Sequence, residues 1–126
     1  MINRLQQALT GIDDLDFAVL IGSRATGQPR DESDWDIAVQ WHDYRLPPLD
    51  IFRRDEVLRQ MFAEALGVTT SLVDIVDLHR AGLAIRSVVA EEGIPLAGED
   101  SLPWMRFLTR TWHELEYWHW EQGHAA

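Results

Sequence analysis

Residues Phe17 to Val39 (FAVLIGSRATGQPRDESDWDIAV) hold an apolar run, a Gly-Ser pair, ten further residues, an Asp-x-Asp and a second apolar run. Phe17 to Ile21 is too short for a globular helix and rich in β-favouring residues, so it reads as a buried strand. Gly22 permits a sharp turn and lets a ligand approach the backbone closely. Ser23 stands where a helix can begin, and the N–H groups and positive dipole end of a helix start suit a phosphate. Trp35, Ile37, Val39 and Trp41 alternate with Asp34, Asp36, Ala38 and Gln40. In a strand, that alternation puts both carboxylates on one face and the apolar set on the other. Two carboxylates side by side repel each other unless a cation lies between them. Mg²⁺ bridging to nucleotide phosphates is the usual solution.

Local signals define the other elements. Asn3 to Leu9 reads as a short helix ending near Gly11. Ser23 to Gly27 is a second short helix, and Gln28 to Ser33 a polar loop in which Arg30, Asp31 and Glu32 are solvated. After the break at Pro47-Pro48, Asp50 to Leu66 is a long amphipathic helix. Asp50 is its expected cap, Ile51/Phe52, Val57/Leu58, Met61/Phe62 and Leu66 its apolar stripe, and Gly67 its closing residue. Ser71 to Leu78 is the third strand. Ala81 to Glu92 is a helix ended by Gly93, Ile94 to Ala97 a short edge strand, and Ser101 to Gln122 a final helix. Ser101 caps that helix and Pro103 lies in its first turn. This order predicts an α/β (α+β) fold, a small mixed β-sheet with helices packed on it.

At 126 residues the chain is expected to be one domain. Its 46% apolar content excludes wholesale disorder, and no run approaches a membrane span. The first residues, MINRLQQALTGI, lack the apolar stretch of a secretory signal, and there is no cysteine for disulfides or thiolate metal sites. A cytoplasmic location fits these features. The formal charge is −10, which argues against direct nucleic-acid binding and template-dependent polymerase activity. All eleven basic residues are arginine. Arginine is the better bidentate phosphate ligand, although genomic base composition explains a lysine-free chain equally well.

The Gly22-Ser23, ten-residue spacer, Asp34-x-Asp36 pattern resembles the nucleotidyltransferase signature of the DNA polymerase β-like superfamily. It is most similar to the minimal (MNT) nucleotidyltransferases, antitoxins paired with HEPN toxins, and the likeness covers roughly Phe17 to Gly98. It implies the nucleotidyltransferase fold, a single minimal domain over residues 1–126, ATP as substrate and two Mg²⁺ ions, with Mn²⁺ as a substitute. Gly22 and Ser23 would hold the outer phosphates, and Asp34 and Asp36 the metals. Arg24 is the arginine nearest the phosphates. A phosphate contact and a solvated helix-side position are both open for it.

Two-metal transfer needs a third acid. The third strand offers Asp74 and Asp77, three apart and therefore on opposite faces. The resemblance points to Asp74 as the third catalytic and metal-binding acid, with Leu72, Asp74 and Val76 sharing its face. Asp77 reads as a strand-end turn residue. His42 and His79 are isolated, and His113 and His119 do not stack on a helix.

The final helix carries Trp104, Trp112, Trp118 and Trp120 together with Phe107 and Tyr117. Trp104, Leu108, Trp112, Leu115 and Trp118 or His119 form the stripe expected to pack on the sheet. Phe107, Tyr117 and Trp120 fall off it, which suggests a partner surface or a homo-oligomer contact. The resemblance implies transfer of AMP from ATP onto a hydroxyl, a tyrosine above all, of a HEPN toxin in a type VII-like toxin–antitoxin pair. One alternative is a small-molecule, aminoglycoside-like nucleotidyltransferase, against which the short chain argues. The other is a non-catalytic antitoxin that masks its partner by binding.

Overall fold

A computed structural model describes residues 2–28 and 33–124. The expected polar loop at Arg30, Asp31 and Glu32 lies outside the described residues. The elements are α1 (Ile2–Ala8), β1 (Leu15–Ile21), α2 (Ser23–Thr26), β2 (Trp35–Trp41), α3 (Pro48–Leu66), β3 (Val73–Asp77), α4 (Leu83–Glu92), β4 (Ile94–Ala97) and α5 (Leu102–His124). The sheet order is β3-β2-β1-β4. β1 runs antiparallel to β2 and β4, and β2 runs parallel to β3. The parallel pair requires a crossover, which α3 supplies. The mixed sheet expected from the element order is present.

Both faces of the sheet are covered, so the strands bury residues of both parities. Ala18, Leu20, Ile37 and Val39 meet Leu5 of α1 and Leu58, Phe62 and Leu66 of α3. Phe17, Val19, Ile21 and Ala38 meet Val89 of α4 and Trp104 and Phe107 of α5. Asp36 and Gln40 share the parity of Ala38. They therefore face the α4/α5 side, at either end of a buried middle.

Several local expectations are corrected. Leu72 belongs to a 3-10 turn (Thr70–Leu72), not to β3. α3 starts at Pro48 after Pro47, and Asp50 sits in its first turn, not at its cap. Proline's fixed φ suits the first helical position, and Asp50 still complements the helix dipole from there. Phe52 and Val57 are exposed. Each lies one residue, about 100°, off the stripe of Ile51, Leu58, Phe62 and Leu66 that meets the sheet. Gly67 closes α3 in the left-handed conformation, as expected. Gly93 ends α4 with φ −72, so it is no left-handed cap. It is required for space, since a Cβ there would collide with Val19 Cγ1 and the Val89 carbonyl.

α5 departs furthest from expectation. Its buried residues are Trp104, Phe107 and Thr111. Phe107 was expected outside the packed stripe, but it lies 5.3 Å from Phe17, which also meets Trp104 edge-on at 4.9 Å. Trp112 and Trp118, expected to pack, are 47% exposed. The helix contacts β1 and α4, reaching as far as Glu114, which pairs with Arg86 of α4, and residues 116–124 are exposed throughout. The packed face is thus set by where α4 and β1 lie, and the helix beyond Leu115 stays exposed.

Candidate active site

The site assembles at the end of β1 and the starts of β2 and β3. β1 ends at Ile21, whose register partner on β2 is Asp36. Gly22 then turns the chain with φ 81 and ψ −163. A side chain is excluded there twice over, because that conformation favours glycine and an added Cβ would lie 2.7 Å from Asp36 Oδ2. α2 is a single turn of four residues in which the Ala25 and Thr26 N–H groups donate to the Gly22 carbonyl. One turn supplies directed N–H groups but little macrodipole, so the expectation of a full helix-dipole site at Ser23 is reduced to its hydrogen-bonding part.

Asp34 is exposed just before β2, Asp36 is half-buried on β2, and Asp74 is exposed on β3. In the parallel β2–β3 register, Asp36 pairs directly with Asp74. The Asp36 carboxyl is pushed above its ordinary range by burial first, then by the negative charge of Asp74 and of Asp34. All three aspartates therefore act on one spot. Asp77 pairs with Val39, on the opposite face. There its Oδ1 accepts the His79 N–H at 3.0 Å, and its charge helps raise the Asp55 carboxyl, after the burial that dominates that shift.

Arg24 is half-buried and engaged by the chain itself. Its Nη2 and Nε donate to the Ser33 carbonyl at 3.1 and 3.4 Å, and its guanidinium lies 4.5 Å from the Trp35 ring centre. Ser33 and Trp35 flank Asp34. The arginine thus braces the segment that presents this carboxylate. The sequence offered no signal for that contact, because Ser33 lies nine residues away across a loop.

Among the described residues, no three His, Cys, Asp or Glu side chains already close round a metal position. Asp34, Asp36 and Asp74 form an open carboxylate face instead. Its chemistry fits Mg²⁺: hard oxygen donors only, two of them on exposed side chains free to rotate, and a mutual repulsion that a cation would relieve.

The family model for polymerase beta, nucleotidyltransferase, matches residues 3–102. The chain belongs to the polymerase-β nucleotidyltransferase family. This nucleotidyltransferase is 34% identical over 108 residues to the protein adenylyltransferase MntA of Aphanizomenon flos-aquae (strain 2012/KM1/D3), a match spanning 81% of this chain and 69% of the relative. It is similar in structure to a toxin-antitoxin crystallised with AMP-PNP, at 28% identity and TM-score 0.69, covering 97% of this chain and 90% of that one. It is also similar to the structure of a tri-AMPylated Shewanella oneidensis HEPN toxin in complex with MNT antitoxin. There the identity is 25% and the TM-score 0.63, covering 98% of this chain and 92% of the other. No helix among the described residues is long and apolar enough to cross a membrane.

Proposed function

We propose that this nucleotidyltransferase moves AMP from ATP onto a hydroxyl of a HEPN-type partner protein, and so acts as an antitoxin. The observation that carries the reading is the pairing of Asp36 with Asp74 beside the Gly22 turn. It occurs in a chain 34% identical to a protein adenylyltransferase. Asp34, Asp36 and Asp74 would hold two Mg²⁺ ions, or Mn²⁺ in their place, which neutralise charge developing on the transferred phosphoryl group. Gly22 leaves the backbone bare for the nucleotide phosphates, and Ser23 offers them its N–H and hydroxyl. Asp74 accepts the proton of the attacking hydroxyl. The acceptor oxygen bonds to the α-phosphorus, the bond to the β-phosphate oxygen breaks, and pyrophosphate leaves.

The deciding experiment is intact-mass analysis of the co-expressed partner. Added AMP with the wild-type chain, absent with Asp36→Ala, is the expected outcome. An unmodified partner that is nonetheless neutralised would replace transfer with masking.

Arg24 serves the nucleotide side of this site by holding Asp34 in place. Arg24→Lys keeps the charge but loses the two-pronged bond and the flat contact with Trp35. Its transfer rate is expected to fall as far as that of Arg24→Gln. Full rescue by lysine in steady-state kinetics would instead assign Arg24 a simple charge contact with phosphate.

The exposed half of α5 is the proposed contact with the partner. Trp118 is 47% exposed, and Tyr117 and Trp120 stack on each other at the surface. Aromatic residues in such positions dominate interface energies. Trp118→Ala and Trp120→Ala are expected to weaken partner binding by about 2 kcal/mol or more, measured by titration calorimetry. The thermal midpoint of the lone chain should stay nearly unchanged.

A further inference from the structure

A cavity of about 380 Å³ lies at the end of the sheet away from the three aspartates, bordered by Asp16, Gln40, His42, His79, Arg106 and Arg110. Gln40 is on the same face as Asp36 but four residues along β2, about 13 Å away. Ala38 is buried between them. We propose that this cavity is a second, separate binding site for a small anion carrying two or more phosphate groups.

Three observations point the same way. First, the only carboxylate among the described residues bordering the cavity is already satisfied. Gln40 Nε2 donates to Asp16 Oδ2 at 3.2 Å, and His42 Nδ1 lies 3.3 Å from Asp16 Oδ1. Second, the Arg106 and Arg110 guanidiniums make no hydrogen bond or ion pair among the described residues. The chain carries ten more carboxylates than basic side chains. Two arginines left uncompensated in such a chain, on one cavity, leave room for an anion from outside. Third, the cavity depends on an irregularity in the strand. The β1–β2 register shifts between Leu15 and Phe17. Asp16 is the extra residue of this bulge, a device that re-aims a side chain, and it is turned to Gln40 on the face that Phe17 already occupies.

The ligand class follows from spacing and size. Arg106 and Arg110 are one helical turn apart, so their side chains are neighbours about 5–6 Å apart at Cβ and suit two adjacent phosphate groups better than one. The volume sits at the small end of ligand pockets, enough for a diphosphate and its immediate substituent. His79 adds a fixed wall, its Nε2 on the Trp41 carbonyl at 2.9 Å and its ring stacked on Tyr44 at 4.1 Å. Both arginines come from α5. The family model stops at residue 102, where α5 begins, so the two arginines lie beyond the matched residues while Asp16, Gln40, His42 and His79 lie within them.

Calorimetric titration of the full chain with inorganic pyrophosphate, in EDTA to silence metal-dependent binding, tests the proposal. One saturable site is expected for the wild type and equally for Asp36→Asn. The Arg106→Gln/Arg110→Gln chain should bind at least about tenfold more weakly. It should keep the Mg²⁺-dependent part of its thermal response to ATP, which separates this site from the aspartates. Both arginines are exposed, and the single variants read the same loss in two steps if the double variant does not fold. Absence of saturable heat in the millimolar range would overturn the proposal. So would binding that survives loss of both arginines, or binding of a short RNA without binding of pyrophosphate.

Discussion

Asp74→Ala is expected to lower AMP transfer by about 10²–10³-fold, while Asp77→Ala keeps most of it. The two residues are close in sequence and share one strand, so bulk charge and stability cannot distinguish them. Geometry does. Asp74 stands opposite Asp36 in the parallel register and helps raise the Asp36 carboxyl. Asp77 stands opposite Val39 and binds the His79 N–H on the other face. Time courses of partner adenylylation, read by intact mass, give the comparison directly. Equal losses in both variants, or the larger loss in Asp77→Ala, would sink the assignment of the third acid.

Asp36→Asn is expected to stabilise the free chain at neutral pH and to abolish its metal-dependent response to nucleotide. In the folded chain, burial and the charges of Asp74 and Asp34 raise the Asp36 carboxyl. The folded state then holds this proton more tightly than the unfolded chain. Stability therefore falls as pH rises through the window above the ordinary carboxylate value. At neutral pH the ionised group costs stability, and the amide removes that cost. Below the ordinary carboxylate range Asp36 is protonated in both states, and the advantage of the variant should shrink towards zero. Ligand linkage works in the opposite direction for the wild type. ATP with Mg²⁺ at a hundredfold excess over Kd contributes about 2.7 kcal/mol, a midpoint rise on the order of 10 °C for a chain of this size. Thermal scans at two pH values, with and without ATP and Mg²⁺, measure both effects. A wild-type midpoint unmoved by ATP and metal would count heavily against the enzyme reading. A variant less stable than wild type at neutral pH would remove the repulsion argument.

Both expectations express one trade. The site gathers three carboxylates and a glycine in a conformation that favours no other residue, and these features weaken the free fold. Such features persist where binding repays them, which is the usual relation between function and stability at an active site.

Strand parity, spacing and punctuation are legible in the order of residues alone. The alternation after Asp34 reads as a strand over Trp35 to Trp41, and β2 has those bounds. The need for glycine at position 22 is visible too, because a strand followed by Gly-Ser implies a tight turn. The three-residue separation of Asp74 and Asp77 establishes that only one of them can join Asp36. These properties are local: the period of a strand and the conformational range of glycine depend on a few neighbouring residues.

What the order of residues did not reveal was decided between segments far apart in the chain. Apolar periodicity in α5 admits more than one packed face, and contact with β1 and α4 selected Phe107 over Trp112. Gly93 does end its helix, but the need for a glycine there comes from the closeness of Val19 on β1. For Arg24 a phosphate contact and a solvated position were both open, and the contacts with Ser33 and Trp35 were not foreseen. The bulge at Asp16 and the two arginines of α5 border one cavity only because α5 packs on β1. Sequence determines which face a side chain takes within its own element. Burial, charge and available space depend on which distant surface is pressed against that face, and only the tertiary structure supplies it.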